Sequence, residues 1–172
     1  MKKSKLIALS AVSTAFATIF LVMGAYISVF EYSGIFMASL CMMIPLTKKS
    51  VWAGLMTYIA TALLCLLFIG GRWVIAITFA MFFGLHPLAN YFFENKKIKW
   101  VIALPIKEVW FLGTLLFLYF FFQEFVAFEF EWAQKYALPI LLIGGGLLFI
   151  AYDFIMIRFQ RYLDIIVKKL KL

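Results

Sequence analysis

The chain has 172 residues, of which 66% are hydrophobic and 14% charged, and its mean hydropathy is +1.04. A soluble domain averages roughly 45–50% apolar and about 25% charged residues, so this balance excludes an ordinary soluble fold and points to an integral membrane protein of one domain. The net charge of +8 is spread over short basic clusters between apolar runs, which argues against a nucleic-acid partner.

Six apolar segments follow in order, at about 6–30, 33–47, 51–70, 73–93, 100–122 and 137–158. Their hydrophobicity is continuous and does not alternate, so helices are expected rather than strands. The expected fold is all-α, with six transmembrane helices. Met1–Lys5 is basic and the first run is about 25 residues long, against ~7–15 for a secretory signal core, so it is expected to remain as a membrane helix. Within it, Ala11-Val-Ser-Thr-Ala15 is a small-xxx-small pattern, which lets another helix come close, either inside the protein or on a partner. Cys41 and Cys65 both lie in apolar runs and are expected as buried thiols, with no zinc spacing around them. Pro87 in the fourth segment and Pro105 in the fifth can each kink a helix, whereas Pro139 sits near the start of the sixth, where proline is tolerated.

Lysine and arginine set the expected topology. Thirteen of the 16 lie at the N-terminus, at 48–49, at 96–99 and after 157, all on one side if the chain crosses six times. Glu31, Glu124, Glu129 and Glu131 fall on the other. Both termini are therefore expected in the cytoplasm, and the location is expected to be a bacterial cell membrane. The tail 159–172 is expected to continue the sixth helix as a short basic helix, lying on anionic lipid or docking a partner.

The fifth segment, Trp100–Phe122, carries Lys107 and Glu108 well inside. A charge at mid-bilayer costs at least ~2.5–3.5 kcal/mol on insertion scales. Adjacent helical residues point ~100° apart, so each charge needs a partner on another helix. Lys107 lies eight residues past Lys99, about 12 Å deep at ~1.5 Å per residue. His86, Asn90 and Asp153 fall at related depths, so a Lys107–Asp153 pair and a pairing of Glu108 with His86 or Asn90 are expected. The cluster serves either as a packing clamp or as a proton or ion relay.

At the opposite ends of the helices lie Arg72, Tyr119, Glu124 and Trp132, with the loop 123–136 as an amphipathic lid. Aromatics there form an interfacial belt or line a pocket for a partly apolar ligand. Gly144-Gly145-Gly146 exposes backbone two turns into the sixth segment, for close helix packing or for a ligand. The sequence holds no catalytic motif, so no enzyme activity and no cofactor are expected.

Length, six helices, both ends inside and the Ala11/Ala15 motif together resemble the substrate-binding S component of an energy-coupling factor (ECF) vitamin transporter. The resemblance implies that Ala11 and Ala15 pack on a transmembrane coupling subunit driven by an ATPase pair. It also implies that a vitamin-like small molecule binds near Arg72, Tyr119, Glu124, Trp132, Gly144 and Gly145. Two features depart from the family pattern: the first outer loop is minimal, and the polar set around Lys107 lies in the other half of the membrane. Two alternatives stand beside it. One is a structural scaffold of cell-wall machinery, similar to the MreD type. The other is a proton- or ion-coupled carrier using Lys107, Glu108 and Asp153.

Overall fold

The computed structural model describes residues 3–122 and 131–169. Among them all regular structure is helical: α1 (Lys3–Tyr26), a 3-10 turn (Ser28–Phe30), α2 (Glu31–Leu46), α3 (Val51–Phe68), α4 (Trp73–Thr78), a π-helical turn (Phe79–Phe83), α5 (His86–Asn95), α6 (Trp100–Phe121), α7 (Glu131–Lys135) and α8 (Ala137–Lys169). Six stretches are long and apolar enough to cross a bilayer: Lys3–Tyr26, Ser28–Leu46, Val51–Phe68, Trp73–Asn95, Trp100–Phe121 and Ala137–Val167. The fourth is built from α4, the π turn and α5.

The distribution of side chains fits lipid as the solvent. Large apolar residues such as Phe16, Leu67, Val109 and Leu148 point outward, while Ser13, Thr57, Thr61, Thr78 and Thr114 are buried. Small side chains inside let helices approach where no hydrophobic force distinguishes core from surroundings. Most of these hydroxyls donate to the carbonyl one turn back, as in Ser13 to Leu9 (2.9 Å), Thr57 to Ala53 (2.8 Å) and Thr78 to Val74 (2.7 Å). They are satisfied without demanding a tertiary partner.

α1 and α2 form a hairpin whose backbones touch. A Cβ placed on Gly34 would lie 2.5 Å from the Phe20 carbonyl oxygen and 3.2 Å from Gly24 Cα. The α3–α4 turn needs left-handed backbone at both Gly70 (φ 56°) and Gly71 (φ 99°), a conformation glycine adopts without strain.

The fourth span departs from a simple helix for a reason that starts at Pro87. Proline has no N–H, so the Phe83 carbonyl four residues back loses its helical partner. Ser39 on α2 donates to that carbonyl at 2.7 Å, and its hydroxyl is in turn 2.9 Å from Tyr152 Oη on α8. Just before this, the Gly84 N–H reaches five back to Phe79 O (2.7 Å) and the Leu85 N–H bonds Phe82 O (3.0 Å). Neither is left for Ala80 O, and Tyr58 Oη on α3 donates to it at 2.8 Å. Expected as a kink, the site is a π turn followed by a re-aimed helix. Ser39→Ala is expected to lower stability by about 1–3 kcal/mol, the usual consequence of an unpaired buried carbonyl. Thermal unfolding in detergent checks this, and melting unchanged from the unsubstituted protein would show that the hydroxyl is dispensable.

The π turn also joins two cores. Phe79 packs with Leu21, Ile35, Met42 and Cys65 among α1–α4. Phe82, a turn on, meets Phe111 of α6 (4.9 Å between centroids) and Phe149 of α8 (5.9 Å). Pro105 leaves α6 continuous over its 22 residues. α8 runs unbroken for 33 residues to Lys169, so the described part of the basic tail continues the last span. At ~1.5 Å per residue that is about 50 Å, some 20 Å more than a hydrocarbon core of ~30 Å.

Candidate functional site

The buried charges converge on one carboxylate. Asp153 on α8 and His86 at the start of α5 are fully buried, and Lys107 on α6 is 2% exposed. Lys107 Nζ donates to Asp153 Oδ1 at 2.5 Å and to Asn90 Oδ1 at 2.7 Å. His86 Nε2 lies 3.0 Å from Asp153 Oδ1, and Trp100 Nε1 donates to Oδ2 at 3.1 Å. A bond from His86 to a carboxylate places the ring proton on Nε2 and leaves Nδ1 as an acceptor. Among the described residues, that Nδ1 and the Asn90 amide nitrogen are buried without a hydrogen-bond partner.

Local structure explains the convergence. The break before α5 turns His86 and Asn90, one turn apart, toward α8. Trp100 and Lys107 are seven residues apart on α6, two turns along one face. The Lys107–Asp153 pair therefore forms as expected from depth. His86 and Asn90 are taken by Asp153 and Lys107, not by Glu108. Glu108 instead lies against α8, where a Cβ on Gly146 would come 2.9 Å from its Oε1. Lys107 does not snorkel out. Both oxygens of Asp153 are engaged by three donors on two other spans, which is the geometry of a clamp. Protonating this carboxylate would weaken those bonds, which are strongest to its charged form.

Trp100, Ser39 and Tyr152 were not among the expected residues. The seven-residue spacing from Lys107 was the available signal for Trp100. The carbonyl released by Pro87 announced the need for a donor, though not that Ser39 supplies it. Cys41 and Cys65 are free and buried. Among the described residues no group of three His, Cys, Asp or Glu side chains is placed to hold a metal ion.

The expected ligand residues are spread over separate contacts. Arg72 is exposed; its Nη1 donates to the Ala25 carbonyl at the end of α1, and its guanidinium lies 5.8 Å from the Tyr26 ring centroid. Tyr26 Oη donates to Phe68 O at 3.1 Å, so the two side chains clasp α1 to the α3–α4 turn. Tyr119 is half-buried near the end of α6, edge-on to Phe120. Trp132 falls in α7, and Glu124, with lid residues 123–130, lies outside the described residues. A Cβ on Gly144 would meet open space, whereas one on Gly145 would come 2.7 Å from Leu115 Cδ1, so Gly145 serves the α6–α8 approach.

Ala11 and Ala15 are exposed on α1, while Ser13, Thr14, Ala17, Thr18 and Leu21 are buried against the bundle. The small-xxx-small pair thus faces away from the protein's own helices. No protein-family model, curated protein or solved structure matches this chain.

Proposed function

We propose that the protein is a membrane-embedded substrate-binding subunit for ATP-driven uptake of a vitamin-like small molecule, working with separate coupling and ATPase subunits. In this reading both termini are cytoplasmic in a bacterial cell membrane. The observation that carries it is the outward-facing Ala11/Ala15 pair, two small side chains at which a second membrane helix can bring its backbone close. The substrate region is the end opposite the basic clusters, near Arg72, Tyr119, Glu124, Trp132, Gly144 and Gly145.

Ala11→Trp is expected to abolish co-purification of the coupling subunit while changing the protein's own stability by no more than about 0.5 kcal/mol, the usual limit for exposed substitutions. Pull-down and thermal unfolding of the same preparation read both quantities. An intact complex would remove the coupling role. The three donors that hold Asp153 from two other spans favour the clamp over the proton- or ion-coupled carrier using Lys107, Glu108 and Asp153. A scaffold of cell-wall machinery would present the same α1 pair, and the identity of the co-purifying proteins separates the two.

A further inference from the structure

Where α8 leaves the bundle at its basic end, α5, α6 and α8 enclose a cleft of about 520 Å³. That is within the ~300–1,000 Å³ of small-ligand sites. One wall is apolar, made by Phe93, Trp100, Phe154 and Ile157. Arg158 and Arg161 line it from the exposed side, and Asn90 and Lys107 from within. The Arg158 guanidinium lies 4.8 Å from the Phe154 ring centroid, which holds it beside the apolar wall. Among the described residues neither arginine has a carboxylate within salt-bridge reach. Lys107 is compensated by Asp153. Glu94 also lines the cleft, leaving two arginines against one carboxylate. A second cleft of about 630 Å³ adjoins it through Tyr91, Glu94 and Gln160, and adds Lys48 and Lys49 against Asp164.

A cavity lined by both guanidinium and aromatic side chains suits an amphipathic anion. A free inorganic anion would use the arginines and leave the apolar wall empty. General attraction of the tail to a charged surface would use any of its cations. We propose that this cleft seats the phosphate headgroup of an anionic membrane lipid. Arg158 and Arg161 donate to the phosphate oxygens, and Trp100 and Phe154 line the first part of an acyl chain. The lipid pins the protruding end of α8 to α5 and α6. None of this depends on the uptake reading.

The test uses the full chain, delipidated in neutral detergent, with thermal unfolding followed as phosphatidylglycerol, phosphatidylcholine or inorganic phosphate is added. Phosphatidylglycerol is expected to raise the melting temperature saturably, as a single lipid per chain. Its affinity is expected to fall about tenfold or more in Arg158→Gln/Arg161→Gln, both exposed positions. Lys97→Gln/Lys169→Gln removes the same charge outside the cleft and is expected to bind as the unsubstituted protein does. Equal stabilisation by phosphatidylcholine or by inorganic phosphate would overturn the proposal. So would equal loss of affinity in the two double variants.

Discussion

Asp153→Ala is expected to be the most damaging single substitution in the polar cluster, lowering stability by about 3–5 kcal/mol, as when one partner of a buried ion pair is removed. The carboxylate takes bonds from Lys107, His86 and Trp100, so its loss strands an ammonium that is 2% exposed and two further donors. Lys107→Met should be damaging for the converse reason, leaving Asp153 with two neutral donors and no cation. The pair Lys107→Met/Asp153→Leu should recover much of the loss, because replacing both charges with apolar groups of similar volume is often close to neutral. Unfolding of detergent-solubilised protein by heat or denaturing detergent measures all three. A double variant as unstable as Asp153→Ala would mean that the stranded His86 and Trp100 donors, and not the buried ion pair, carry the loss.

Gly34→Ala is expected to be the second large effect, about 1–3 kcal/mol or more, the range for overpacking. The added Cβ would sit 2.5 Å from the Phe20 carbonyl oxygen, and backbone cannot rotate away. Two comparisons isolate the cause. At Gly54 the Cβ would meet Leu46 Cδ2 at 2.6 Å, the end of a flexible side chain, so Gly54→Ala should be milder. At Gly144 nothing lies within 4 Å, and Gly144→Ala should be neutral or slightly stabilising through helix propensity. Thermal unfolding of the three variants ranks them. Equal losses at Gly34 and Gly144 would contradict close α1–α2 contact as the reason.

The part of this fold legible in the sequence is the part set by local composition. Continuous apolar runs predicted the number of spans, with edges within about five residues of those found except at the last, which runs on to Val167. Depth counted from the basic clusters was enough to pair Lys107 with Asp153, because rise per residue is the same in every helix. What depends on which backbone groups are released, and on who answers them across the bundle, was not legible. Pro87 signals a free carbonyl, but Ser39 is 44 residues before Phe83, and only packing brings it there. Arg72 illustrates the opposite case. Its charge at a helix end suggested a ligand, yet its donor goes to the Ala25 carbonyl on the neighbouring helix. The outward direction of Ala11 and Ala15 likewise follows from which face of α1 the other helices cover, and a small-xxx-small pattern alone does not say.

Gentle purification of the chain from its native membrane, followed by mass spectrometry of both the proteins and the small molecules carried with it, addresses the proposed function most directly. A stoichiometric vitamin-like compound, together with a membrane coupling protein and two ATPase subunits lost on Ala11→Trp, is the predicted result. Recovery of cell-wall synthesis proteins in their place, with no bound compound, would contradict it.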